Sequence, residues 1–220
     1  MTQTGLSRRR FIGATSGAAA AATLVNLSGT AVASAGTRTW KSATSKNGWS
    51  VLDEAIAFTI EGSGRNVSLA KGDAATILLH VARRFHYEID SLRAGDVHGW
   101  TSNREVAEAY ESNYLSGSAI AIRPVAYPVG AKDNLYPNEL VVVRDILAEL
   151  DGVVAWGGDF KTPKESHFEI ALKPSHPRVK GVARKILGWN DGPGNHGAGA
   201  TDAFDPKRLK VSRTFTQRTS

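Results

Sequence analysis

Two short stretches set the terms on which this chain folds. Ser112 to Ile122 reads S-N-Y-L-S-G-S-A-I-A-I, while Trp156 to Ile170 opens on W-G-G-D-F and closes on S-H-F-E-I. Ala119-Ile120-Ala121-Ile122 contains no polar residue, which marks a buried strand. His167 to Leu172 alternates, so His167 and Glu169 share one face of a second strand. Val153-Val154-Ala155-Trp156 reads as a third, leading into the Gly157-Gly158 turn. The three are expected to meet at the centre of a small antiparallel sheet.

Elsewhere the periodicity is helical. Ala74, Ile77, Leu78, Val81, Ala82 and Phe85 recur at i, i+3, i+4, i+7, i+8 and i+11, predicting an amphipathic helix over Asp73–Glu88 with Asp73 as its cap. His80, Arg83, Arg84 and Tyr87 fall mostly off that stripe, so His80 is expected to be solvated. Leu140, Val143, Leu147 and Leu150 predict a second helix over Asn138–Leu150, closed by Asp151-Gly152. Val179, Val182, Ala183, Ile186 and Leu187 predict a third over Val179–Leu187, with Lys180, Arg184 and Lys185 outside. A hairpin is expected where Phe58–Glu61 and Val67–Leu69 flank Gly62-Ser63-Gly64. The fold class that follows is α+β, a small antiparallel sheet flanked by helices.

The ends differ in composition from this middle. Ser7-Arg8-Arg9-Arg10-Phe11-Ile12-Gly13 is a twin-arginine motif, followed by a mild Ala/Gly-rich run and small-x-small sites that place cleavage after Ala33 or Ala35. Residues 1–35 therefore read as an export signal and 36–188 as the folded domain. The protein is expected to work outside the membrane or at the cell wall, with no membrane span in the mature chain. Asn190 to Ala200 has the glycine-rich composition of a linker, with His196 exposed, and residues 206–213 read as a basic tail, either an edge strand or loose. There is no cysteine, so disulfides, thiolate ligands and a cysteine nucleophile are excluded. Removing the signal lowers the net charge from +6 to +3, 24 Lys and Arg against 21 Asp and Glu, which argues against a nucleic-acid partner and suits anionic wall polymers.

The first of the two opening stretches resembles the S-x-H-x-x-G-x-A-x-D signature of the zinc D-Ala-D-Ala carboxypeptidase and L-alanyl-D-glutamate endopeptidase family, wall peptidases that share a fold with hedgehog signalling domains. The second resembles that family's W-G-G-D…D-x-x-H-F-E segment. Leu92-Arg93-Ala94-Gly95-Asp96-Val97-His98-Gly99-Trp100 is similar to its L-R-P-G-D-V-x-G-W loop, and Asn47-Gly48-Trp49 to its N-G-W-P-V segment. The resemblance covers roughly Lys46 to Leu187 and implies a hedgehog/D-Ala-D-Ala peptidase-like fold.

At the metal the resemblance breaks. The family's ligand histidine falls on Tyr114, its ligand aspartate on Ala121 and its catalytic acid on Lys164, leaving His167 as the one surviving ligand position. A zinc site needs at least three protein ligands. What the resemblance implies is therefore an exported pseudopeptidase, with no cofactor expected, that binds peptidoglycan peptide or a protein partner. The alternative it leaves open is an active zinc carboxypeptidase or endopeptidase with a rearranged site drawing on His167, Glu165 and Asp159. Arg104 is the nearest equivalent of the family's carbonyl-binding arginine, in a segment, Arg104–Glu111, that reads equally as a short helix. Ser112, Trp156, Asp159 and Glu165 complete the candidate ligand-binding residues. For the retained residues a purely structural role stands beside each functional one: His167, lacking a metal, can hydrogen-bond Tyr114.

Overall fold

The computed structural model describes residues 36–191 and 201–219. The expected export signal and most of the glycine-rich stretch, His196 included, lie outside the described residues. In chain order the elements are β1 (Arg38–Thr39), β2 (Ile56–Ile60), β3 (Arg65–Leu69), α1 (Asp73–Glu88), β4 (Val97–His98), β5 (Glu105–Val106), a 3-10 turn at Ala109–Glu111, α2 (Ser112–Leu115), β6 (Ala119–Ile122), α3 (Pro137–Glu149), β7 (Val154–Trp156), a 3-10 turn at Gly157–Asp159, β8 (His167–Ile170), α4 (Pro177–Asp191) and α5 (Pro206–Thr219). Described residues thus form a mixed α+β structure with small antiparallel sheets and five helices.

The central sheet has the order β4-β6-β8-β7, every pair antiparallel. Alternation along its strands divides the labour between its faces. Ile120, Ile122, Phe168 and Ile170 enter the main core, whereas Ala119 and Ala121 cluster with Tyr114 apart from it. Helix α1 packs on β6 and β8, α3 on β7, α4 on α1 and α5 on α3. The β2–β3 hairpin forms as expected, with Ile56 opposite Leu69. Gly117 locks α2 to β3: its φ is 62°, its carbonyl accepts from Ala70 N, and a Cβ there would sit 2.4 Å from that nitrogen. Residues 35–220 form one compact unit. Among the described residues no helix is long and apolar enough to cross a membrane.

Four local expectations need correction. Asp73 lies inside the first turn of α1; the cap position is Gly72, at φ 88°, with no side-chain cap bond. Arg104–Glu111 does not form one helix but leads into β5, paired with β1, and then the 3-10 turn. The basic tail is neither strand nor loose chain but helix α5, laid along α3. His80 is buried rather than solvated, with its ring 5.5 Å from that of Trp189.

The last two corrections share a cause, a buried ion network that joins α1, α3 and α5. Arg84 is fully buried and reaches Glu88 at 2.6 Å, Asp145 at 2.8 Å and Glu149 at 3.0 Å. Arg208 of α5 meets Asp145 at 2.6 Å and Glu149 at 3.0 Å. His80 Nε2 lies 2.8 Å from Glu149, and Arg83 lies 3.4 Å from His80 Nδ1. Burial lowers the His80 pKa against the pull of Glu149, so the ring is neutral, donating from Nε2. Burial alone would raise the Glu149 pKa, but the His80 hydrogen bond and the Arg84 and Arg208 cations hold it at about 2.

Two consequences can be measured. Arg84→Met should cost about 3–5 kcal/mol in urea unfolding, because it leaves buried carboxylates without their central cation. Glu149 contributes stability that is complete above its ordinary pKa of 4.5 and lost as the pH falls toward 2. Acid unfolding of Glu149→Gln should accordingly show a shallower loss over that interval.

Candidate functional site

The site lies on the sheet face opposite α1. In β6 and β8, Ala121 pairs with His167 and Ala119 with Glu169, so the four side chains share that face. The short helix α2 brings Asn113 and Tyr114 over it. His167 is fully buried and both ring nitrogens are engaged: Nδ1 lies 2.7 Å from the Tyr114 hydroxyl and Nε2 lies 2.7 Å from Glu169 Oε2. The same Glu169 oxygen accepts from Asn113 Nδ2 at 2.6 Å.

Burial fixes the protons along this line. It lowers the His167 pKa, outweighing Glu169, so the imidazole is neutral. It raises that of Tyr114, so the phenol keeps its proton. Glu169 accepts both bonds at Oε2. Nε2 is therefore the protonated nitrogen, and Tyr114 donates to Nδ1.

Aromatic rings enclose the imidazole. Tyr110 stands 4.9 Å from it, Tyr114 5.1 Å at a near right angle, and Phe160 5.8 Å. Lys164 lies over Tyr114: its ammonium is 5.0 Å from the Tyr114 ring centroid and 2.7 Å from Glu111. Burial raises the Glu111 pKa, but Lys164 and the amides of Ala107 and Glu108 together bring it below the ordinary range. Gly157 makes this crowding possible, since a Cβ there would lie 2.3 Å from the Lys164 carbonyl and 2.9 Å from His167 Cβ.

Of the candidate residues, the structure gathers Tyr114, Ala121, Lys164 and His167, and turns the others to different tasks. Arg104 donates to the carbonyls of Trp40 and Ser42, tying down the amino-terminal segment. Ser112 is fully buried, donating to Ala109 O and accepting from Lys46 N. Glu165 accepts from the amides of Asp133 and Asn134 and from the Asn134 side chain. Asp159 holds Arg144 by two bonds, 2.5 and 2.6 Å. Trp156 donates to Glu165 O beneath the Arg144 guanidinium, 5.1 Å from its ring centroid. The grouping of His167, Glu165 and Asp159 considered for a rebuilt zinc site is therefore not assembled. Among the described residues no three His, Asp or Glu side chains are placed to hold a metal ion. The donor set does not suit zinc: a protonated phenol, a histidine with both nitrogens in use, an alanine and a lysine.

Several residues escaped notice in the sequence. His98 sits exposed on β4 opposite Ala121, its ring 5.6 Å from Tyr114, where partial desolvation and then Lys164 lower its pKa. Its position in the Gly95–Trp100 loop was the available signal. Tyr110, Glu111 and Asn113 carried none, because a 3-10 turn and a four-residue helix have no apolar period to read.

Beside the enclosed histidine opens a cleft of about 560 Å³. Trp156, Gly158, Asp159, Phe160 and Glu165 form one wall. The rest of its lining comes from Lys132, Asp133 and Leu135, with Leu140 and Arg144 from α3 and Thr219 from α5. Phe160 belongs both to this cleft and to the ring of aromatics around His167. No protein-family model matches this chain, nor does any curated protein or solved structure.

The hydrogen-bonded line makes its own prediction. Tyr114→Phe leaves Nδ1 a buried acceptor without a donor and should cost about 1–3 kcal/mol in urea unfolding at pH 7. Because folded His167 and His80 resist protonation, stability is complete above the unfolded pKa of about 6.5 and declines as the pH falls below it. The slope is at most about 1.4 kcal/mol per pH unit for each ring. His167→Gln should remove its share of that slope.

Proposed function

We propose that this chain is an exported, catalytically silent member of the zinc wall-peptidase fold that binds peptidoglycan peptide in the cleft beside His167. The observation that carries the reading is the contrast between the two halves of the site. The histidine is sealed, with no room or free nitrogen for a metal-bound water. The cleft next to it stays open and is walled by the Trp156–Glu165 segment that carries the resemblance. Three further features support the ancestry. Residues 114, 121 and 167, where the family places ligands, converge, since Tyr114 touches His167 and Ala121 lies opposite it. Lys164, at the family's acid position, projects over the Tyr114 ring. The fold is α+β with the peptidase-like motifs on its central strands.

The cleft's chemistry suits a short peptide that carries both charges. Lys132 and Asp133 offer one charge of each sign, the Arg144–Asp159 pair offers a second, and Leu135, Leu140 and Phe160 supply apolar surface. Binding rests on these groups and not on Ser112 or Gly117, whose burial and close packing make them part of the scaffold. Export in the folded state, implied by the twin-arginine motif, would deliver this cleft to the wall. A protein partner is the competing occupant.

Purified sacculi should retain the wild-type protein, and Lys132→Glu with Arg144→Gln should lower retention at least five-fold without altering the unfolding midpoint by more than a few degrees. Equal retention of both would remove the cleft from the reading, and no retention of either would remove the wall. Chelator should change nothing. Ancestry has a separate test: Tyr114→His with Ala121→Asp should create a zinc site measurable by calorimetry, and adding Lys164→Asp should relieve the repulsion of the ion and tighten binding. Failure of both variants to take up zinc would count against descent from a metallopeptidase.

A further inference from the structure

The carboxy-terminal helix divides its residues cleanly. Arg208, Leu209, Ser212, Phe215 and Thr216 turn inward, where α5 packs on α3 and Arg208 enters the ion network. Lys207, Lys210, Val211, Thr214 and Arg218, at i, i+3, i+4, i+7 and i+11, form the opposite stripe and are all exposed. Arg213 is exposed beside them. No acidic residue occurs between Pro206 and Thr219. Among the described residues Lys207, Lys210 and Arg213 have no carboxylate within reach, and Arg218 meets Asp151 only at 3.6 Å.

This charge is not spread over the molecule. Residues 36–172 carry 14 Lys and Arg against 18 Asp and Glu, a net of −4, whereas residues 173–220 carry 10 against 3, a net of +7. Arg178 of α4 reaches the same Asp151 that faces Arg218, and Lys185 donates to Glu149 O, so basic groups of α4 border the α5 stripe at the end of α3. Packing does not account for the stripe. Like charges at helical spacing repel, and Lys207 sits at the positive end of the helix dipole. The sequence tolerates a cost in isolation that a negatively charged partner would reverse.

Two apolar side chains show which partner. Val211, in the middle of the stripe, is 59% exposed, and Phe204, two residues before the helix, is 50% exposed. A soluble polyanion has no use for them. An anionic bilayer does: lysines and arginines meet headgroup phosphates while the apolar side chains enter the boundary beneath. We propose that the outer face of α5, flanked by Arg178 and Lys185, is a docking surface for anionic phospholipid. The bound protein would lie on the membrane with α5 in its plane, without spanning it. This inference does not depend on the wall-peptide reading, since no residue of the stripe lines that cleft.

The test uses residues 35–220, the compact unit, so that the export signal does not contribute binding. Its cosedimentation is measured with phosphatidylcholine vesicles and with vesicles of about 30% phosphatidylglycerol. Binding is expected to the second alone, weakened at least ten-fold between 50 and 500 mM salt, a test that needs no variant. Lys207→Glu with Lys210→Glu and Arg213→Glu should abolish it. Phe204→Ser with Val211→Ser should weaken it several-fold while leaving any binding to soluble polyphosphate unchanged. Circular dichroism checks that each variant is folded. Absence of binding to the anionic vesicles, equal binding to both vesicle types, or insensitivity to salt would overturn the proposal. So would polyphosphate binding without vesicle binding, which would make the face a site for a soluble anionic polymer.

Discussion

A strand buried on both faces has to present a different chemistry to each, and the pair β6–β8 does so with a period of two. Ile120, Ile122, Phe168 and Ile170 supply the apolar face that α1 covers, while Ala119, Ala121, His167 and Glu169 line the other. Small residues on β6 leave the volume into which Tyr114 and the imidazole fit. Everything on the site face follows from that division: an imidazole withdrawn from water must find a donor and an acceptor, and Tyr114 and Glu169 are within reach because the register is fixed. A one-residue slip would bury the isoleucines among tyrosines and push His167 into the core.

The same division explains what could be read from the sequence. Strands β6, β7 and β8 and helices α1, α3 and α4 announce themselves through the periodicity of side chains that face one core, and their bounds agree with expectation to within a few residues. The Tyr114–His167 bond was legible too, as the alternative to a metal. The ion network was not. Arg83, Arg84 and His80 lie off the apolar stripe of α1, and a charged residue off the stripe normally faces water. Here the flank is roofed by α4 and α5, and Asp145, Glu149 and Arg208 lie far away in the chain. Pairing across such distances leaves no local trace.

Helix α5 was illegible for a related reason. Its inward face carries Arg208 and Ser212 along with Leu209 and Phe215, so its apolar moment is weak and its composition is that of a solvated tail. What holds it is ion pairing at one end and a modest apolar contact along its length. Arg104, Asp159 and Glu165 taught a different lesson. Each was singled out as chemistry-bearing, and each is engaged in holding a loop or turn in place. The cleft is shaped by those fixed turns more than by any one of its polar groups.

The Arg208 clamp also makes the charge balance of the network depend on a segment far along the chain. Asp145 and Glu149 are translated well before the guanidinium that helps neutralise them, and Arg84 alone faces both together with Glu88. Until α5 is in place, the point where α1 and α3 meet therefore holds an excess of buried negative charge. A copy truncated before Arg208 would leave Asp145, Glu149 and Glu88 sharing the one guanidinium of Arg84, three carboxylates to a single buried cation.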